Sequence, residues 1–385
     1  MKPRARFTTF IRPLLATAIA AFPTIIPAHA AQETEPPLPA LKPSGNPGAK
    51  PASVPTEKDF GAYLFAFHKD DDHSLHFALS PDGYTFTDVN RGKAVISGRD
   101  IAEQKGIRDP YITRGPDGAF YLGLTDLHIF AKREGLRDTE WERPGELYDW
   151  GNNRALVLMK SFDLVNWTHK IYHVGEEFGK LKDVGCLWAP QMIFDPEKRR
   201  MLVSFTTRFG KGRNKLYYAY ADPAFTKFET EPQELFAYPR DCNIIDSDIT
   251  KVGDQFHLFY VAHDRPGGIR HAVSNKVNGG YVFDETKVDP EKVACEAPSV
   301  WKRSGTNTYV LMYDVFGVNP HNFGFSETTD FKTFKSIGRF NEGVMKTTNF
   351  TSPKHGAIIP LTVAEARALA KQWKCDSWER KAAQP

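Results

Sequence analysis

One pattern recurs five times along this chain and limits what it can fold into. A strand ending in a small or polar residue runs into a turn that is closed by an aromatic side chain, at Ser80–Phe86, Ser161–Trp167, Ala221–Phe228, Ser274–Tyr281 and Ser326–Phe334. Successive copies lie roughly 50 to 80 residues apart, the scale of one four-stranded propeller blade with loops of varying length. Helical periodicity is scarce, whereas Tyr63–Phe67, Phe120–Leu124, Met201–Phe205, Phe256–Val261 and Tyr309–Tyr313 are rich in aromatic and branched residues and read as strands. Turns such as Pro81-Asp82-Gly83 and Pro116-Asp117-Gly118 carry the residues that tight reversals need. The expected class is all-β, a five-bladed β-propeller.

Inner strands can be counted separately. Arg108–Ile112, Leu187–Met192, Ile245–Ile249 and Glu296–Val300 each begin a repeat, and Ser352–Ile358 supplies a fifth near the C-terminus. Three outer strands without an inner partner lie between Tyr63 and Val89, so the N- and C-terminal segments are expected to share the closing blade, leaving no open sheet edge in the ring. Beyond it, Thr362-Val363-Ala364-Glu365 is a capping box, and a short C-terminal helix is predicted through Lys374 on the outside of that blade.

The ends of the chain read differently. Lys2, Arg4, Arg6 and Arg12 precede an apolar stretch from Leu14 to Ile26 and an Ala28-His29-Ala30 site, so residues 1–30 are expected to be a signal peptide and the mature protein to be secreted or periplasmic. Residues 31–58 are polar and proline-rich, a disordered or extended linker. The propeller domain is placed at 59–378, with a tail at 379–385. The formal charge of +3 is spread without a basic stripe, which offers nothing to nucleic acid or to a membrane surface. Cys186, Cys242, Cys295 and Cys375 follow no metal-ligand spacing and are read as free thiols in strands, the alternative being a disulfide.

Innermost strands of a propeller run beside its axis, so side chains at their starts converge on one mouth. The acids at those starts are Asp109, Asp246 with Asp248, and Glu296. Hydrolysis of a glycosidic bond with inversion needs a protonated carboxyl to aid the leaving oxygen and a carboxylate to deprotonate water, about 6.5 to 9.5 Å apart. Glu296 suits the general acid and Asp109 the general base. A third acid can set the proton affinity of the general acid; Asp246 is the candidate pKa modulator and Asp248, two residues on, its rival. Any one of these carboxylates could instead merely cap a turn.

In order and spacing, Arg108-Asp109-Pro110, Trp188-Ala189-Pro190, Ile245-Asp246, Glu296-Ala297-Pro298 and His355 resemble the pattern of glycoside hydrolase family 43, five-bladed propeller enzymes acting on arabinosides, xylosides and some galactosides. The resemblance covers nearly the whole mature domain. It implies a base in the first blade, a modulator in the third, an acid in the fourth, and a histidine near the axis that can help hold a water-coordinated calcium ion; no cofactor is required. It departs in the third blade, where Ile245-Asp246-Ser247-Asp248 stands in place of an Asp-Pro. The Arg-Asp-Pro form is also similar to fructan-processing propellers, but the Asn-Asp-Pro nucleophile motif of those retaining enzymes does not occur upstream.

The implied activity is an exo-acting hydrolase of oligosaccharides or polysaccharides, α-L-arabinofuranosidase first, with β-D-xylosidase, β-galactosidase or galactofuranosidase as alternatives. A non-catalytic carbohydrate-binding propeller is the reading from another class. Trp188 is either core or sugar-pocket wall. Asp126 or His128 is expected to touch substrate, and His321 and Asn322 to offer hydroxyl contacts. The long connection from His128 to Asn153, with Trp141, Tyr148 and Trp150, is expected to form one lip of the pocket. His68, His73 and His76 around Asp70, Asp71 and Asp72 are read as a solvated turn rather than a metal site.

Overall fold

The repeated turn is built by side chains. In the closing blade the Ser80 hydroxyl accepts from the Gly83 amide at 2.9 Å, and the Asp82 carboxylate accepts from the amides of Tyr84 and Thr85 at 2.8 and 3.0 Å. Ser161 with Asp163 does the same for Leu164, Val165 and Asn166, and Thr328 with Asp330 for Phe331, Lys332 and Thr333. A short polar side chain thus satisfies amides that the ladder leaves behind, and the reversal is fixed locally. The aromatic that closes four of the copies then drops into the core, where Phe86, Trp167, Phe228 and Tyr281 are all buried, and the fifth, Phe334, is half-buried.

The computed structural model describes residues 36–379, and there the strands form five antiparallel sheets. Four of the sheets keep chain order from the axis outward. The first blade comprises Ile107–Arg114, Phe120–Asp126, Ala155–Ser161 and Thr168–His173. The second comprises Val184–Asp195, Arg200–Phe209, Lys215–Tyr220 and Gln233–Glu234. The third comprises Ile244–Val252, Gln255–Ala262, Gly268–Ser274 and Val282–Asp284, and the fourth Glu296–Lys302, Tyr309–Val315, Asn322–Thr328 and Lys335–Arg339. In the closing blade the late strand Lys354–Thr362 pairs with Phe60–His68, followed by Leu75–Ser80 and Thr85–Asp88, with Lys346–Thr347 added in parallel at the rim. The ring is therefore closed by hydrogen bonds between the two ends of the domain.

Five apolar clusters fill the spaces between neighbouring blades, so each blade buries both faces. The C-terminal helix, Val363–Trp373, starts in the expected capping box between Thr362 and Glu365. It does not lie on the outer strands. Its buried Ala366, Leu369, Ala370 and Trp373 join the cluster between the closing and first blades, because Arg114, at the end of the first inner strand, holds the same Glu365 through two 2.8 Å bonds. Among the described residues no helix is long and apolar enough to cross a membrane. Cys186, Cys295 and Cys375 are buried free thiols and Cys242 is half-buried; Cys186 lies in a strand, whereas Cys375 follows the helix.

The expected signal peptide falls outside the described residues, as does the tail beyond Glu379. Within the stretch read as a spacer, the part that is described is a strap. The Leu38 amide donates to Asn90, Leu41 to the Val95 carbonyl and Gly45 to the Trp167 carbonyl, while Phe162 donates to the carbonyl of Pro47. Proline lacks an amide, yet the amides left between the prolines find partners on the closing and first blades, and Leu38 and Leu41 pack on the cluster between them. A chain truncated to begin at residue 56 should therefore keep its β-sheet circular dichroism but melt a few degrees lower, since two half-buried leucines and four backbone bonds are lost. An unaltered melting temperature would show that the strap carries no load.

Candidate active site

Every inner strand breaks its ladder at the same point near its start. The register slips between Arg108 and Tyr111, Trp188 and Gln191, Ile245 and Asp248, Glu296 and Ser299, and opposite His68 in the closing blade. The residue at each bulge has positive φ: Asp109 54°, Ala189 47°, Asp246 53°, Ala297 51° and His355 31°. Its amide, freed from the ladder, donates to a side chain instead: Asp109 to His68 Nδ1, Ala189 to Thr125, Asp246 to Thr206, Ala297 to Asp246 and His355 to Asp314. A bulge re-aims the side chains around it, and here it turns Asp109, Asp246, Glu296 and His355 into one cavity.

That cavity, of about 80 Å³, is lined by Arg108, Asp109, Leu127, Trp150, Trp188, Ile245, Asp246, Glu296 and His355. Larger grooves occur elsewhere on the surface, including one of about 840 Å³ between the first two blades, but none of them gathers the acids. The centre of the cavity is an imidazole. His355 places Nδ1 2.9 Å from Asp109 and Nε2 2.8 Å from Glu296. Burial opposes its charge, but the two carboxylates prevail and hold it protonated well above the ordinary histidine range.

The three acids sit in different fields. Burial pulls the Asp109 carboxyl upward, but the charges of His355 and Arg108 outweigh it and leave the group far below the usual carboxylate range. Thr125 also donates to its Oδ2 at 2.7 Å. Glu296 is likewise lowered against its burial, by Lys354, whose Nζ lies 3.2 Å from Oε1, and by His355. Asp246 has no such cation in contact: burial, then the neighbouring charges of Glu296 and Asp109, push it up to about 7 despite the pull of His355 and of the Ala297 amide.

Asp248 lies outside this group. It is fully buried, accepts from the Tyr111 hydroxyl at 3.0 Å and from Thr250 at 3.1 Å, and is pushed up to about 7 by burial. The bulge separates the environments of the two aspartates, so simple alternation does not put them on one face.

The lip is aromatic. Trp150, half exposed at 51%, stands edge-on to Trp188 at 5.7 Å and tilted against Trp141 at 5.3 Å. Trp188 donates from its indole to the Gly151 carbonyl at 2.9 Å. Arg208 lies over the Trp188 ring at 4.7 Å and donates to the carbonyls of Tyr148 and Trp150, clamping the long connection onto the second blade.

Other expected contacts go elsewhere. Asp126 is buried and accepts from the amides of Glu103 and Gln104, both at 2.9 Å; burial pushes it up to about 6. His128 stacks on His73 at 4.0 Å and pairs with Glu134. Asn322 donates to the Phe340 carbonyl and accepts from the Phe323 amide. These three shape loops and do not line the cavity. His321 stands at the rim, 3.8 Å from Asp70, which holds Arg108 at 2.6 Å. The solvated-turn reading of His68, His73 and His76 is corrected: all three are fully buried, His76 between Asp72 and Asp88.

Lys354, Asp314 and Thr125 carry no expectation from the sequence, Arg108 enters it only within the Arg-Asp-Pro motif, and Asp70 only in the turn read as solvated. Arg108 and Lys354 had stood beside the quoted acids and histidine, adjacent in sequence to Asp109 and His355, and that adjacency was the available signal. The residues that would hold a calcium ion near His355 are Asp246, Glu296 and His355 itself, whose ligand-type atoms lie within 4.8 Å of one another, with Lys354 3.2 Å from Glu296 beside them.

A propeller whose axis gathers buried carboxylates at one mouth is the frame of a glycoside hydrolase. The sequence signature of the family described as "Probable glycosyl hydrolase domain", related to glycoside hydrolase family 43, matches residues 58–367, and the chain belongs to that family. No curated protein matches it by sequence. Among solved structures, it is similar in fold to an endo-1,4-beta-xylanase from Bacteroides thetaiotaomicron (10% identity, TM-score 0.51, 77% of this chain and 93% of that one). It is also similar to an alpha-L-arabinofuranosidase from Clostridium thermocellum (11%, TM-score 0.50, 72% and 90%) and to a family 43 beta 1,3 galactosidase (12%, TM-score 0.50, 78% and 61%).

The separate settings of the two third-blade aspartates can be tested by stability. A carboxyl raised in the folded state binds more protons folded than unfolded, so its contribution is fully present below the unfolded value of about 4 and is lost as pH rises through about 7. Asp248→Asn removes that loss. Its melting temperature relative to the parent should climb between pH 4 and pH 7, while activity is retained; a difference independent of pH would contradict the buried, protonated state.

Proposed function

We propose that this family member is an exo-acting, inverting hydrolase that releases terminal pentose or furanose units, α-L-arabinofuranosidase first, with β-D-xylosidase or a galactosidase as alternatives. Asp109 is the general base, Glu296 the general acid and Asp246 the modulator. The observation that carries this is the imidazole between Asp109 and Glu296. One ring plus an ion-pair contact on each side keeps the two carboxyls apart by a distance consistent with the roughly 6.5 to 9.5 Å that a sugar and its attacking water require.

Protonation supports a division of labour. Asp109, held ionised, is ready to take a proton from water. Glu296 needs a proton that, in the free protein, Asp246 retains at neutral pH; the two titrate as a unit. A glycosidic oxygen arriving at Glu296 is an acceptor to which only the protonated acid can donate, so the proton held by Asp246 moves to Glu296 as the substrate takes its place and leaves Asp246 ionised. The cavity of about 80 Å³ with Trp150 at its edge favours a chain end over a chain interior. The Lys354 contact to Glu296 favours a second reading, a carbohydrate-binding propeller whose acid stays ionised.

Activity is tested with para-nitrophenyl arabinofuranoside, xylopyranoside, galactofuranoside and galactopyranoside, with proton NMR of the first-formed anomer. An inverted product supports the hydrolase reading; binding without turnover on any of them supports the other. Glu296→Gln should lose about 10²–10⁴-fold on substrates with poor leaving groups and less on activated aryl glycosides, whereas Asp109→Asn should lose activity on both. Equal losses for the glutamine variant would remove Glu296 from the acid role. The pH profile of kcat/KM should fall as pH rises through about 7, where Asp246 and Glu296 give up their shared proton. A rate flat to pH 9 would refute the sharing.

A further inference from the structure

The mouth is ringed by the residues that follow the second strand of each blade, because second strands end where inner strands begin. Glu296 pairs in register with Asp314, so the next turn, starting at Phe316, opens beside the acid. Phe316 is 38% exposed, and the Lys354 ammonium, in contact with Glu296, lies 5.4 Å from its ring centroid. Val293, also 38% exposed, adjoins the residue after Phe316: a Cβ added at Gly317 would stand 2.8 Å from that of Val293.

This patch is built rather than loose. Gly317 donates to the Ala294 carbonyl at 3.2 Å, and the segment carrying Val293 is tied down by Glu291 to Arg339 at 2.6 Å and by Asp289 to Lys287 at 2.7 Å. His263, at the equivalent end of the third blade, is exposed and within the electrostatic reach of Glu296. The second aromatic group joins Trp150 of the long first-blade connection to Trp188 of the inner strand of the second blade.

We propose that Phe316 and Val293 form the platform for the sugar on the leaving side of the scissile bond, so that the substrate is a glycoside of another sugar rather than of a small alcohol. The step rests on the hydrolase reading above. A general acid must face the leaving oxygen, so whatever that oxygen carries projects past Glu296 onto this patch. The apolar C–H face of a pyranose or furanose ring covers a phenyl face well, and its hydroxyl edge is left to His263 and water. The missing Cβ of Gly317 lets the segment carrying Val293 pack beside the turn that carries Phe316.

The test compares xylobiose with xylosyl fluoride, and an arabinofuranosyl disaccharide with arabinofuranosyl fluoride, for the parent, Phe316→Ala and Phe316→Trp. The fluorides carry no leaving-side sugar. For Phe316→Ala the ratio of disaccharide to fluoride kcat/KM should fall about three- to tenfold through KM, and the tryptophan should restore it. An equal change on both substrate types, or no recovery with tryptophan, overturns the platform. Turnover of none of these substrates by the parent overturns the hydrolase reading instead. In that case calorimetric titration of xylotetraose still judges the platform: weaker binding by the alanine variant supports it, and equal or absent binding rejects it.

Discussion

The inner-strand bulge is the feature on which everything at the mouth depends. Holding a non-glycine residue at positive φ costs about 1–2 kcal/mol, and this fold does so at the same point of each blade. Residue choice limits that cost. Asp109, Asp246 and His355 belong to the types that tolerate positive φ best, and Ala189 and Ala297 carry the smallest side chain available short of glycine. Each freed amide is then given a buried acceptor, which offsets part of the strain and ties the inner strand to a side chain at the same mouth. The prolines that follow, Pro110, Pro190 and Pro298, fit the same logic, since the residue after the bulge has no ladder partner and loses nothing by lacking an amide.

From this backbone arrangement the charge pattern follows. Acids and cations enter the cavity from neighbouring strands, and most find an opposite charge at contact distance: Asp109 and Glu296 share His355, Glu296 and Asp314 share Lys354, and Arg108 takes Asp70. Asp246 is left with an amide and an imidazolium that stands within 4.8 Å without an ion-pair contact. A buried carboxyl in that position keeps its proton because ionisation would add one more negative charge to a site already holding two. Of Asp109, Glu296 and Asp246, the one without a cation in contact is thus the one that is raised.

The blade count, the shared closing blade and the three acids were legible because they depend on repetition and on strand starts, which a sequence displays directly. The motif prolines now have a structural cause in the bulge. Asp126, His128 and Asn322 were misplaced for one reason: position at the end of a strand says that a side chain is near the mouth, but not whether a local amide claims it first. Asp126 is taken by the Glu103 and Gln104 amides, and Asn322 by the Phe340 carbonyl and the Phe323 amide. The histidines of the closing blade misled in the opposite sense. Histidines and aspartates close together suggest a wet turn, yet His68 is needed under Asp109 as acceptor for the bulge amide, and a neutral ring is what burial favours there, with its pKa lowered to about 4.

Chemistry and selectivity are set by different parts of this molecule. The bulges belong to the scaffold and would hold the acids in the same relation whatever loops surround them. The width of the pocket belongs to the long first-blade connection, whose tryptophan closes one side only because Arg208 of the second blade grips the backbone on both sides of Asp149 and stacks on Trp188. A loop fixed by a cation that itself lies on the pocket wall cannot shift without disturbing that wall. On the exo-acting reading proposed above, selectivity for the terminal sugar rests on a clamp between two blades, a contact that no spacing of motifs along the chain records.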